Sequence, residues 1–482
     1  MKTLLFTLLL VLGLTTLLPT VNAQEINFDL STYKLPDYKR EMLDFNFNLS
    51  GSNNRSNRWS SVIDDDGSRS TNLSNTINAS YFGFTNTAYQ QKTLAITALI
   101  PTYYYKRNSY SGNYDYTNES LSMYPSISSE FVNRNFIQDK TYFETNFNGS
   151  LGANFYKKSG YPDDSYFHAF AEIPLKIGTG RIEEVQDARQ AVYILQALQD
   201  NQLLSITPDD SAIVVLATQI SLLKTERYLD SRIHKIKELE TIDSFLRENR
   251  YINTNSITYF SVLNDMWSFG RNQVRKSGTS AALAAYPGMG ILTQKYGDSK
   301  SSVLIPSLSG GFEFSVFKPL SLKTQNNTIV KLLGGFTQIK ETDNDYKSQF
   351  PHLRLSLEQS LGIYPNTRTD FNIFFNGSII KFLELKDDDP NVWQPDALAA
   401  VVRSGINWNY YLSARFRLNF NWSLNFEWQE DTDASAILFT DVFNAYTFID
   451  NLNANFFPNS NAYNKERYLS QSFSIKLLYS LF

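Results

Sequence analysis

The sequence predicts a mainly β fold, a transmembrane antiparallel β-barrel of about fourteen strands with an α-helical insertion on the periplasmic side. Twelve and sixteen strands are the alternative counts. Three observations carry this reading. From Ala414 to Trp428 every second residue is apolar (Phe416, Leu418, Phe420, Trp422, Leu424, Phe426), while Arg415, Arg417, Asn419, Asn421, Ser423, Asn425 and Glu427 fill the other phase. Successive strand side chains point to opposite faces, so this stretch presents one apolar face and one charged face, and it is long enough to cross a bilayer at a tilt. The N-terminus reads as an export signal, yet no later stretch approaches the length of a spanning helix. Residues 181–270 abandon the two-residue period for a helical one. Only helices and closed barrels satisfy their backbone groups inside hydrocarbon, so an exported chain built of such strands is expected to close.

Taken in order, Lys2 precedes the apolar run Leu4 to Leu18, and Val21-Asn22-Ala23 offers small residues for cleavage before Gln24. Residues 1–23 are therefore a signal peptide and 24–40 a periplasmic N-terminal segment. Loss of Lys2 leaves 43 basic against 48 acidic residues, a net charge of −5 that gives nucleic acid no basic surface. Cysteine is absent, which excludes disulfides and a lipid-anchored terminus. Aromatic residues make up 15 % of the chain, an excess that interfacial girdles would absorb.

Strand alternation marks residues 43–49, 73–81, 94–105, 121–131, 143–155 and 167–177 as the first six strands, within a section 41–180. After the insert, in a section 278–482, the same pattern marks 279–292, 304–316, 328–339, 353–363, 371–382, 398–410, 414–428 and 469–481. If the first strand rises from the periplasm, the insert lies there, together with short turns at 318–325, 364–366 and 411–412. The longer, polar connections 52–71, 383–395 and 430–467 then fall outside. The last residue is Phe482, a terminal aromatic of the kind barrel-insertion machinery reads, although it stands one residue out of phase with Tyr479.

The insert, residues 181–277, places Ile182, Val185, Ala188, Val192, Leu195 and Leu198 at helical spacing. Thr207-Pro208-Asp209-Asp210 reads as an N-cap with a first-turn proline, followed by one bent helix or two. Thr254-Asn255-Ser256 caps a last helix reaching Phe269. With 12 basic and 13 acidic residues the insert is no polyanion binder. Its apolar faces pack on one another, plug the lumen or dock a periplasmic protein.

Certain words in and around the insert stand out: Gly180-Arg181-Ile182-Glu183 with Asp187-Ala188-Arg189, Arg227 to Arg232 enclosing Asp230, Tyr259-Phe260 through Trp267, and Arg275-Lys276-Ser277-Gly278. Together they resemble a group of Bacteroidota outer-membrane barrel proteins carrying a periplasmic helical insert. The resemblance covers about a fifth of the chain. It implies an outer-membrane location and this architecture, and it supplies no reaction.

Candidate chemistry lies on the lumen phase. Arg415, Arg417, Glu427, Arg403, Arg354, Glu358, Lys331, Glu313, Glu172 and His168 would put both signs of charge on the wall, either lining a pore or sealing it by pairing. His168 and His352 share that phase, but no motif marks a nucleophile beside them, so the chain is expected not to be an enzyme; His234 falls in the insert. Asp64-Asp65-Asp66-Gly67 and Asp387-Asp388-Asp389-Pro390 lack the spacing of a calcium loop and read as solvated loop charge. No metal or cofactor is expected. The expected partners are the lipid bilayer with its lipopolysaccharide, the barrel-insertion machinery and a periplasmic protein at the insert. Passage of small hydrophilic solutes through a porin-like channel is the leading function. The alternative is a non-conducting anchor whose insert recruits a periplasmic partner.

Overall fold

The computed structural model describes residues 26–58, 66–111, 114–137, 140–225, 235–270, 274–342, 347–383, 392–393, 398–413, 416–429 and 466–479. Before the insert run β1 (Tyr38–Arg58), β2 (Asp66–Asn86), β3 (Gln90–Ser111), β4 (Tyr114–Met123), β5 (Ser126–Phe136), β6 (Thr141–Lys158), β7 (Asp164–Glu172) and β8 (Leu175–Glu184). Four helices follow, α1 (Gln186–Asp200), α2 (Asp210–Thr225), α3 (Lys235–Glu248) and α4 (Ile257–Phe269). The chain then returns as β9 (Lys276–Tyr296), β10 (Ser299–Ser321), β11 (Thr324–Glu341), β12 (Lys347–Asn366), β13 (Thr369–Phe382), the two-residue β14 (Val392–Trp393), β15 (Leu398–Tyr411), β16 (Phe416–Gln429) and β17 (Glu466–Tyr479).

All strands belong to one large sheet, antiparallel throughout except for the short β12–β14 pairing. Each long strand pairs with its neighbours in sequence, from β1–β2 through β16–β17. The described strands occupy fourteen lanes. β4 and β5 share one, because both pair with β3 on one side and β6 on the other. β7 and β8 share another between β6 and β9. Both breaks fall at a proline, Pro125 and Pro174, whose nitrogen cannot donate to a ladder; their carbonyls still accept from Ala153 and Asn146.

The strands outrun their apolar alternation. Residues 52–71, expected as a loop, are mostly paired strand: β1 and β2 hold register from Tyr38↔Asn86 to Arg58↔Asp66. Alternation reports where one face is apolar, whereas backbone pairing continues into a polar hairpin that needs no such face. For the same reason β8 continues through Gly180, Arg181, Ile182 and Glu183 to Glu184, so Ile182 is strand and the helical part of the insert begins at Gln186. The connections 383–395 and 430–467 and the terminal Phe482 lie largely or wholly outside the described residues.

One further expectation about the insert shifts in detail. Asp209 rather than Thr207 caps α2, its Oδ1 accepting from the Ala212 amide at 2.9 Å. Of the long helical stretch, the described residues form α2 and α3, and 226–234 lie outside them. Ser256 caps α4 as expected, accepting from the Tyr259 amide.

The sheet and the helices bury their apolar residues differently. The helices form a closed core around Val192, Leu195, Ile213, Ile220, Leu246 and Leu263, and the N-terminal segment joins it through Phe28, Leu30, Tyr33 and Leu35. On the sheet, by contrast, one apolar phase stays open. Phe45, Phe47, Leu283, Phe473 and Ile475 are each at least 65 % exposed, and partly exposed Phe, Leu and Ile of other lanes continue that face. No described helix is long and apolar enough to cross a membrane, which leaves strands untouched.

At the root of the insert, β8 and β9 pair from Gly180↔Ser280 to Glu184↔Lys276. Gly180 (φ +107°) and Gly278 (φ +129°) adopt left-handed backbone there, and a Cβ on either would collide with a carbonyl of the facing strand. Gly278→Ala is therefore expected to destabilise the fold by about 1–3 kcal/mol, read as a lower denaturation midpoint.

Candidate functional site

The polar face of the sheet carries a chain of alternating charges built by register. Arg134 of β5 stands opposite Glu144 of β6, which stands opposite Lys176 of β8. Two lanes further on, Glu313 of β10 stands opposite Lys331 of β11. The side chains meet accordingly. Arg134 and Lys176 reach Glu144 at 2.6 and 3.3 Å, and Lys176 reaches across to Glu313 at 2.8 Å, which Lys331 approaches at 3.6 Å. The Tyr286 hydroxyl donates to Glu313, and Asn146 donates to Glu144. Glu144 and Glu313 are both buried, which their cationic partners make tolerable.

The sequence placed Glu313 and Lys331 on this face and passed over Arg134, Glu144 and Lys176. The signal was present, since Glu144 lies out of phase with Phe143 and Phe147, but pairing across lanes is invisible before register is known. Of the other expected residues, Glu172 accepts from Asn148 at 3.2 Å. Arg417 lies against Tyr411 and Arg403 over the Phe374 ring. Glu358, Arg403 and Glu427 are exposed and Arg354 is half-buried. The structure does not gather these into the alternating chain, and Arg415 lies outside the described residues.

Both sheet histidines pack instead of lining open space. His168 faces Gly152 on β6 and His352 faces Gly335 on β11, and a Cβ on either glycine would run into the imidazole. His352 Nδ1 also lies 3.0 Å from the Phe350 carbonyl. A ring laid over a cross-strand glycine fills the gap the glycine leaves. His234 and the aspartates at 64, 65 and 387–389 lie outside the described residues. Among the described residues no group of three or more His, Asp or Glu is placed to hold a metal ion.

Beneath this face, the short turns at one end of the sheet are held to the insert by arginines. Arg181 donates to the Thr87 and Ala88 carbonyls and to Asn86 Oδ1, while its Nε meets Glu183 at 2.6 Å. Arg275 donates to the carbonyls of Ser321, Leu322 and Thr324 and to Gln325 Oε1. Arg189 of α1 and Arg275 both lie against the Tyr364 ring, at 5.4 and 4.7 Å. Arg368, in the β12–β13 turn, meets Asp265 at 2.8 Å and covers the Phe269 ring. Five planar donors suit arginine to a fan of carbonyls that lysine cannot match. Burial, and after it the Arg189 charge, pull Arg275 down to about 10, still cationic near neutral pH.

The clasps of Arg181 and Arg275 tie the two strands at the root of the insert to turns of the second and third lanes and of the eighth and ninth. The helical unit itself also touches feet of the sheet that are far apart along it, since Thr225 of α2 accepts from the Lys39 amide of β1 while Arg189 of α1 and Asp265 of α4 meet residues at the β12–β13 turn. Inside that unit Asp187 of α1 pairs with Lys224 of α2 and accepts from Ser221 Oγ at 2.6 Å, and the Tyr33 hydroxyl of the N-terminal segment lies 2.8 Å from the same Ser221. Trp267 donates to Glu238 at 2.9 Å. The junction words Gly180, Arg181, Glu183, Asp187, Arg189, Trp267 and Arg275 thus belong to root, clasp and helical core. Arg227, Asp230 and Arg232 lie outside the described residues. No protein-family model matches the chain, nor does any curated protein.

Arg275→Ala leaves buried Gln325 Oε1 and three partly buried carbonyls without this donor, at about 1–3 kcal/mol for a fully buried group and less for the others. The expected outcome is faster proteolysis of residues 186–269, with little rescue by Arg275→Lys. A second expectation concerns pH. Burial raises the Tyr33 hydroxyl, with the Asp187 charge adding, and burial followed by the Asp243 hydrogen bond raises Tyr259. Folding therefore favours both neutral phenols, a contribution fully present below the unfolded value near pH 10 and lost as pH rises above it. Helical ellipticity should fall above pH 10 in the native chain, and less steeply in Tyr33→Phe with Tyr259→Phe.

Proposed function

We propose that this chain is an outer-membrane β-barrel of fourteen strands, a channel for small hydrophilic solutes whose periplasmic mouth is covered by the helical insert. One observation carries the reading. The sheet leaves a broad face of Phe, Leu and Ile open while its opposite face holds paired charges and amides. Soluble monomers rarely leave so large an apolar surface uncovered, and hydrocarbon would cover it here. The charged face is then the wall of a water-filled lumen. A helical unit joined to turns of distant lanes fits a sheet that curls round and closes, with that unit across one mouth.

Charge on this wall is largely self-compensating. Arg134, Lys176 and Lys331 alternate with Glu144 and Glu313, so the belt presents little net field to a passing ion. That suits neutral or weakly charged solutes better than strong ion selectivity. The buried clasp favours a second reading, a non-conducting anchor whose helices bind an envelope partner.

Planar-bilayer recording of the intact chain beside Arg181→Ala/Arg275→Ala separates the two. A channel gives stepwise conductance, at least several-fold more frequent once the clasp is removed. Silence from both, in preparations with full strand content by circular dichroism, would leave the anchor.

A further inference from the structure

We infer that the N-terminal segment from Ile26 to Asp37 is an autoinhibitory strap that bars the channel mouth; this rests on the channel reading above. The segment leaves β1 at Tyr38, in the first lane, yet its turn Leu30–Thr32 lies against β9 and β10, the seventh and eighth lanes. In a closed sheet of fourteen lanes those positions are opposite one another. Fourteen lanes about 4.8 Å apart, tilted as barrel strands are, close on a diameter of roughly 28 Å. The turn Leu30–Thr32 and the extended residues on to Tyr38 together span roughly 24–26 Å, and side-chain contact with the far wall bridges the few ångströms that remain. With that contact the strap has the length to cross the mouth and nothing to spare.

Its attachments differ in kind from those of the helices. Charged arginine side chains clasp the insert to the turns around it, whereas apolar side chains and a few neutral hydrogen bonds hold the strap. Phe28, Leu30, Tyr33 and Leu35 are buried in the core the helices form. Asn86 Nδ2 donates to the Leu35 and Pro36 carbonyls, the Ile26 amide donates to Gln196 Oε1 at 2.6 Å, and the Tyr33 hydroxyl meets Ser221 Oγ. The Asp187–Lys224 pair joins α1 to α2 without the strap, so the helices keep their own connection when it leaves. The strap is thus the separable part of the cover.

The full-length mature chain tests this in planar bilayers. Leu30→Asp with Tyr33→Asp sets two carboxylates in the helical core, the one at 33 close to Asp187, and expels the strap; Phe28→Ala with Leu30→Ala is a milder release, used where the first lowers helix content. Since the chain has no cysteine, Ile26→Cys with Gln196→Cys, joined by a short bis-methanethiosulfonate that forms a disulfide at each thiol and releases methanesulfinate, pins the far end of the mild-release variant. The expected result is open probability raised at least tenfold by release, returned to the native level by the pin, and raised again by reduction. If the clasp variant Arg181→Ala/Arg275→Ala conducts while both strap-released chains behave like the native one, the strap is not the bar and the inference is overturned. If clasp and strap variants are all silent, the channel reading fails and takes the inference with it.

Discussion

Backbone pairing governs this molecule, because a sheet of fourteen lanes must satisfy its N–H and C=O groups strand against strand. Once consecutive strands pair antiparallel, the two-residue period of side chains is locked to two faces. Leu283 and Leu332 are then committed to the apolar face as firmly as Glu313 and Lys331 are to the polar one. A slip of one residue in any lane would send a charge to the apolar face and a leucine among the ions. The buried ion pairs enforce register as much as they stabilise it, since Glu144 has its partners only when β5, β6 and β8 stand as they do.

Where pairing cannot continue, the fold changes character. Pro125 and Pro174 interrupt two lanes without losing them, because the neighbouring long strands span the gap. At Gly180 and Gly278 the ladder bends into the root of the helical insert, and from there apolar burial takes over from backbone pairing. The helical unit is an ordinary closed core, with a phenol, a hydroxyl, a carboxylate and an ammonium at its centre. Arg181 and Arg275 reconcile the two regimes, turning the free carbonyls of short turns into acceptors for fixed charges.

The proposed function follows from the same division. A charged face and an open apolar face together call for two solvents, which the membrane-spanning channel we propose supplies. In that proposal the cover at one mouth makes passage a matter of release, through a strap and an arginine clasp that meet at Asn86.

Much was legible along the chain. Alternation located all fourteen lanes, including 121–131 and 167–177, each of which contains a proline break. Helical spacing located the insert, and Ser256 announced the start of its last helix. These signals are local, set by the period of the backbone itself. Other features were closed to sequence. Nothing in Arg134, Glu144 or Lys176 states that they meet, because register is a relation between strands distant in sequence. The strand extensions 50–58 and 66–72 carry no apolar pattern, although their backbones pair. Residues 24–40 read only as a periplasmic N-terminal segment, yet Tyr33 is buried against Ser221, 188 residues away. Sequence determined which residues alternate and which coil, since those depend on near neighbours. Tertiary structure decided which charges neutralise one another and what lies under the sheet, since those depend on where distant strands and helices come to rest.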